Sequence, residues 1–128
     1  MFDNLDVFKL SHTMARHAGA RQAVVSQNMA NADTPGYEAR DVKPFAAHVA
    51  GDGAFTPRAT RPAHLFGQAP GRAFEVVTDR SAPRDPNGNS VSLESEMLRG
   101  VETKRQHDRA LAIYKSGLKV LRTALGRR

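Results

Sequence analysis

Proline is confined to the middle of this 128-residue chain. Residues 2–32 and 91–128 hold none, whereas six of the seven prolines and five of the ten glycines fall between residues 44 and 90. Proline removes a backbone donor and clashes with the preceding turn, so long helices are restricted to the two ends. The chain reads as helix, arm and helix.

In the first end, Leu5, Phe8, Ala15, Ala18, Val25, Met29 and Ala32 recur near the helical period, with His12 and Gln22 in the skipped turns. This predicts a helix of about 28 residues within 3–32, about 42 Å long at 1.5 Å per residue. Asp3 or Asn4 can cap it, and Asp6 suits its positive end. In the last end, Leu93, Met97, Gly100, Lys104, His107, Leu111, Tyr114, Leu118, Leu121 and Leu125 run in alternating steps of four and three, a heptad seam. Ser92 is placed as N-cap, Glu94 and Glu96 lie in the positive first turn, and Arg122, Arg127 and Arg128 lie at the negative end. A helix within residues 92–126 follows, with its firm contact from Leu111 onward.

The expected fold is mainly α. The two long terminal helices pack as an antiparallel α-helical coiled coil, through Leu5, Phe8, Val25 and Met29 on one side and Leu111, Tyr114, Leu118, Leu121 and Leu125 on the other. An extended Pro/Gly-rich arm over residues 33–91 joins them with little β structure, and residues 1–128 form a single unit. Within the arm, Ala73-Phe74-Glu75-Val76-Val77-Thr78 has the composition of one short strand, and Phe45, Phe55 and Leu65-Phe66 stand as isolated apolar anchors. Two stripes remain without a partner: Val7, Leu10, Met14 and Val24 on the first helix, and Ala110, Ile113, Val120 and Ala124 on the last. Another copy or a relative is the simplest partner.

Composition agrees with a chain that leans on neighbours. Leu, Ile, Val and Phe number 26, about a fifth of the residues, near the level at which chains stop folding alone. There is no Cys, which removes disulfides, thiolate metal sites and thiol nucleophiles. The acidic start, Met-Phe-Asp-Asn-Leu-Asp, is unlike a cleavable leader, and no apolar run approaches the roughly 20 residues of a membrane span. The net charge of +6 is uneven: residues 1–96 carry −1 and residues 97–128 carry +7.

The most informative stretch is Asn28-Met29-Ala30-Asn31-Ala32-Asp33-Thr34-Pro35-Gly36-Tyr37. Pro35 fixes φ at the second position of a turn and Gly36 supplies the positive φ that the third position of a type II turn demands. Asn28 and Asn31 share one helix face, where their amides reach free carbonyls of the last turn or a neighbouring backbone. Tyr37 packs its ring and still hydrogen-bonds.

Asn-x-Ala-Asn-x-x-Thr-Pro-Gly-Tyr after a long amphipathic helix resembles the signature of the bacterial flagellar axial proteins, the rod and hook family, and within it the proximal-rod type. Ala39-Arg40-Asp41 with Phe45, Thr60-x-Pro62-x-His64-Leu65, and Asn87-Gly88-Asn89-Ser90-Val91-x-Leu93-Glu94-x-Glu96-Met97 add to the likeness. His107 departs from it, since an aromatic such as Tyr is expected there. The resemblance implies a structural component of the basal-body rod, self-assembling for motility, with Asn28, Asn31, Thr34, Pro35, Gly36 and Tyr37 as an assembly and turn motif. It implies other rod proteins, copies of the chain, the inner-membrane ring with its rod-junction protein, and the flagellar type III export apparatus as partners. The place it implies is the periplasmic rod of the basal body, reached without cleavage of a signal peptide.

No enzyme is expected: no phosphate loop, nucleophile elbow or paired acid/base carboxylates occur, and no cofactor, small-molecule substrate or metal is implied. His12 and His17 stand about 140° apart on a helix, the wrong spacing for a shared metal, and read as surface residues. His48, His64 and His107 are scattered. The alternative reading, a small basic helical nucleic-acid-associated protein, rests on Arg99, Lys104, Arg105, Arg109, Lys115, Lys119 and Arg122. These charges are spread around the helix instead of focused, so nucleic acid is not expected as a partner.

Overall fold

The computed structural model describes residues 2–51 and 73–126, with side chains from residue 6 to residue 49 and from residue 73 onward. Five elements follow in order: α1 (Phe2–Ala30), β1 (Arg40–Val42), α2 (Phe45–Gly51), β2 (Val76–Thr78) and α3 (Leu93–Ala124). The fold is mainly helical, with the two long helices packed together and little strand. The side chains of Asp3, Asn4 and Leu5, and Phe55, Thr60, Pro62, His64, Leu65, Phe66, Arg127 and Arg128, lie outside the described residues.

Local chemistry sets the ends of the helices. Ser92 sits in extended backbone, φ −101° and ψ 115°, and its hydroxyl accepts from the Ser95 amide, satisfying one of the first-turn donors. Glu94 and Glu96 occupy the first turn, where the helix dipole favours negative charge, and Arg122 occupies the last. At the far end Gly126 at φ +67° donates to the Thr123 carbonyl, 3.1 Å away. Inside α1, Ser11, Thr13 and Ser26 return their hydroxyls to carbonyls three or four residues back, so the polar side chains do not compete with the helix.

α1 and α3 run antiparallel. Phe8 meets Tyr114 edge to face at 5.3 Å between centroids, His17 meets Gln106, Arg21 meets Glu102, and a Cβ on Gly100 would rest 3.9 Å from Val25. Among the buried residues, Ser11, Ala18 and Val25 of α1 and Glu96, Thr103 and Ala110 of α3 each step by seven. Further along, a Cβ on Gly117 would lie 3.1 Å from the Phe8 ring. Small and polar side chains thus face one another, and the backbones approach closely.

Burial along the expected interface is uneven within the single chain. Phe8 is half-buried and Val25 fully buried, but Met29, Leu111, Tyr114 and Leu125 are exposed, and Leu118 and Leu121 only half-buried. The fully buried positions of α3, Glu96, Thr103 and Ala110, lie one position round from that stripe, while Tyr114 of the stripe still meets Phe8. Small side chains at Thr103, Ala110 and Gly117 permit close approach of the two helices there. Of the residues expected to lack a partner, Val24 and Ala110 are buried, while Val7, Leu10, Ile113 and Val120 are exposed.

The described parts of the arm, residues 33–51 and 73–91, hold short regular elements. β1 and β2 form an antiparallel two-stranded sheet with Arg40 opposite Thr78, Asp41 opposite Val77 and Val42 opposite Val76. The strand expected at residues 73–78 is present as β2, whereas β1 and α2 carry no local signal strong enough to expect them. Val42 and Ala39 turn inward and are buried.

Candidate assembly site

The end of α1 forms a hub that joins three parts of the chain. Asn28 is fully buried. Its Nδ2 donates to the Arg40 carbonyl at 2.7 Å, and its Oδ1 accepts from the Arg40 amide at 3.1 Å and from the Tyr37 hydroxyl at 3.2 Å. An amide side chain presents one donor and one acceptor with the spacing of a peptide edge, so Asn28 acts as an additional rung beside β1. Asn31 instead closes the helix end, its Nδ2 donating to the Gln27 carbonyl and its Oδ1 accepting from Thr34. Gly36 stands at φ +73°, and the Tyr37 amide donates back to the Thr34 carbonyl at 3.2 Å, the four-residue turn expected at Thr34-Pro35-Gly36-Tyr37.

The other half of the hub comes from residues 85–91. Asn89 is buried and its Nδ2 is shared among the carbonyls of Asn31, Ala32 and Thr34, at 2.9, 2.7 and 2.9 Å. Its Oδ1 accepts from the Val91 amide at 2.7 Å. These carbonyls belong to the turn just past α1, and the one side chain draws them together, adding to the backbone bonds that the Asn31 and Thr34 carbonyls already accept. Ser90 accepts from the Ala39 amide and donates its own amide to the Tyr37 carbonyl. Gly36 donates to the Asn87 carbonyl, and a Cβ on Gly88 would sit 3.4 Å from Gly36 Cα.

Two arginines tie the hairpin to the helix pair. Arg21 grips Asp41 with two parallel bonds of 2.9 Å and reaches Glu102 of α3 at 3.3 Å. Bonding to Asp41 holds its guanidinium above the ordinary arginine range, against the opposing pull of burial. Arg99 bridges Glu96 at 2.8 Å and Asp79 after β2. Burial pulls Arg99 down, but the bond to Asp79 and the charges of Glu96, Asp41 and Asp79 outweigh it and its pKa rises. The Asp79 carboxyl is held below the usual carboxylate range, first by the Ser81 hydroxyl and then by Arg99.

His17 corrects the surface reading of the histidines: it is buried, while His12 is exposed. Its Nε2 lies 2.7 Å from the Lys43 carbonyl, which only accepts, so Nε2 carries the hydrogen and Nδ1 accepts from the Gln106 amide at 3.2 Å. The ring packs against Phe45 and Phe74. Arg21, Asp41, His17, Gln106 and Asp79 line a cleft of about 640 Å³ between hairpin and helices. Every charged member named here is already paired, so the cleft is a structural joint.

His17, Arg21 and Asn28 of α1 and Arg99 of α3 hold the two strands and their flanks on one side of the helix pair, with Glu102 and Gln106 of α3 bracing Arg21 and His17. The opposite flank carries a mostly apolar groove of about 350 Å³ lined by Ala18, Gly19, Gln22, Gly100, Thr103, Lys104 and His107. The expected heptad seam of α3 runs along this bare flank. Among the described residues no group of three or more His, Asp or Glu is placed to hold a metal, and no helix is long and apolar enough to cross a membrane. Sequence reasoning missed Asn89, Arg21 and His17 as organising residues. Asn89 lay inside a noted motif, and the other two carry no local signal.

A long helix closed by a turn that is clamped from a distant segment, beside an unfilled heptad flank, defines a subunit made to pack against other chains. The profile of the family described as "Flagella basal body rod protein" matches residues 17–37, which span the His17 cage, the Arg21 anchor and the whole turn motif. The "Flagellar basal body rod protein FlgB" of Agrobacterium fabrum is 36% identical over 117 residues, covering 88% of this chain and 87% of the relative. The protein of the same description from Cereibacter sphaeroides is 29% identical over 106 residues, 82% of each. The chain belongs to the FlgB family of flagellar basal body rod proteins. It is a structural component of the basal-body rod, serving motility.

Proposed function

We propose that this chain occupies the proximal part of the flagellar drive shaft as a single unit of residues 1–128, adding to the rod through its terminal helices. In this reading Asn28, Asn31, Thr34, Pro35, Gly36 and Tyr37 set the angle at which the hairpin leaves α1. Phe8, Val25, Leu118 and Leu121 support the helix pair, and Met29, Leu111, Tyr114 and Leu125 meet neighbouring subunits, where the helices complete a coiled coil. Leu5 belongs to the same stripe by its spacing. The chain acts without catalysis, cofactor or small molecule.

Its partners in this reading are other rod proteins, copies of itself, the inner-membrane ring with its rod-junction protein, and the type III apparatus that exports it to the periplasmic rod. The observation that carries the proposal is the exposed heptad flank on a helix pair whose other flank is covered. Exposed apolar side chains at regular spacing mark an interaction face, and binding stabilises a marginal subunit by mass action. The test is fractionation of purified basal bodies from cells carrying the wild-type chain or a deletion. The chain is expected in the rod fraction, and its loss is expected to abolish motility. Its absence from intact basal bodies, or salt-sensitive retention on DNA, would overturn the proposal.

A further inference from the structure

The sides of α1 and α3 that carry the two strands continue bare toward the start of α1. Leu10 lies seven residues before His17, Met14 seven before Arg21 and Val7 seven before Met14, while Ile113 and Val120 follow Gln106 by one and two heptads. Steps of seven keep to one side of a helix, so these five stand in line with the side chains that hold the strands. Met14 is half-buried, and Val7, Leu10, Ile113 and Val120 are exposed, Leu10 by 48% and Val120 by 57%. Because the helices run antiparallel with Phe8 against Tyr114, the two rows lie side by side as one apolar patch.

The chain itself heads toward this patch. β1 runs back along α1, with Arg40 on Asn28, Asp41 on Arg21 and Lys43 on His17. Phe45 at the start of α2 and Phe74 just before β2 both pack on His17, so the chain between them leaves and returns at the edge of the patch. Residues 52–72, outside the described residues, number 21 and include Phe55, Leu65 and Phe66. At about 3.3 Å per residue they reach up to about 35 Å out and back. Val7 lies only about 15 Å beyond His17 along α1, and Val120 about 21 Å beyond Gln106 along α3.

We infer that residues 52–72 of the same chain occupy this patch, seating Phe55, Leu65 and Phe66 among Leu10, Met14, Ile113 and Val120. Burial of these anchors removes apolar surface from water on both sides of the contact. Pro57, Pro62 and Pro70 each lack a backbone donor, which suits anchoring by side chains on an apolar surface without a strand partner. The exposed residues of this flank then need no second copy, and the Leu-rich seam of α3 on the opposite flank stays free for neighbours.

The absence of cysteine from the chain makes the test clean. A spin label is placed on the full chain at Ala63→Cys, beside the anchors and outside the patch. The methyl signals of Val7, Leu10, Ile113 and Val120 are expected to lose most of their intensity, and those of Leu93 and Met97 at the far end to keep it. Adding Leu65→Ser and Phe66→Ser to the labelled chain is expected to restore the lost intensity at least twofold. Patch signals that stay unchanged, or that fall equally without the anchors, would overturn the inference. Loss confined to a mixture of spin-labelled chain with isotope-labelled, cysteine-free chain would overturn it in favour of exchange between copies. As a second readout, tryptic cleavage at the Arg58–Ala59 bond is expected to speed up about three- to tenfold in Ile113→Ser and to stay within about twofold in Val101→Ser, since cleavage follows the population of the released segment. An equal rate in the two variants would count against the seat. The spin-label readout changes nothing in the patch and so holds whether or not Ile113→Ser folds, and neither readout involves rod assembly, so failure here leaves the rod assignment standing.

Discussion

Asn28 holds Arg40 by both polar atoms of its peptide edge, donating to the carbonyl at 2.7 Å and accepting from the amide at 3.1 Å. Because the side chain is fully buried, nothing replaces these bonds when it is lost. Asn28→Ala leaves a donor and an acceptor unpaired, each at about 1–3 kcal/mol. Asn28→Asp is expected to be worse, since it sets a carboxylate oxygen against the Arg40 carbonyl. Urea unfolding of the three proteins at neutral pH checks the order.

Gly36 tests the turn. At φ +73° a β-branched residue is strained by about 1–3 kcal/mol, although a Cβ there would meet no neighbour. Gly36→Val is expected to lower both stability and swimming, while Asp33→Ala, at an exposed position, leaves both nearly unchanged. Motility halos at matched expression distinguish the two.

Asp79 gives the hairpin a pH dependence. Its carboxyl is depressed below the ordinary value of 3.8, so its contribution is fully present above that pH and is lost as the pH falls through the lower folded value. Asp79→Asn is expected to unfold more readily at pH 7 and to show a flatter loss of stability below pH 3.8. Thermal melts from pH 7 down to pH 2 measure it.

Gly100 lies where α1 and α3 cross. A Cβ there meets Val25 at 3.9 Å, an ordinary contact, so Gly100→Ala gains the helical preference of alanine without overlap. The isolated chain is expected to gain about 0.5–1 kcal/mol in a denaturant titration.

Leu118 and Lys119 separate packing from charge. Leu118 is half-buried within the chain, so Leu118→Ala costs less than the 2–5 kcal/mol of a filled core in the monomer, and the remainder appears only on assembly. Lys119 is exposed, and Lys119→Ala is expected within about 0.5 kcal/mol. Recovery in basal bodies should fall sharply for the first and hold for the second.

The features legible in the amino-acid order are those governed by the local backbone. The two long helices, the Ser92 cap, the turn at Pro35-Gly36 and the spacing of the Leu-rich stripe each depend on residues within a turn or two, where φ preference and period act directly. Tertiary structure alone decided which positions of α3 are fully buried against α1, because that depends on the side chains opposing them. Thr103 and Ala110 are buried, whereas Leu111 and Leu125 stay exposed. It also decided the fate of single polar residues whose partners lie far along the chain. His17 reads as a surface histidine until Gln106, 89 residues away, and the Lys43 carbonyl enclose it, and Asn89 reads as a loop residue until three carbonyls of the α1 end converge on its amide. A buried polar atom takes whatever partner the fold brings within about 3 Å, and that distance is a property of the packed chain, not of its neighbours in sequence.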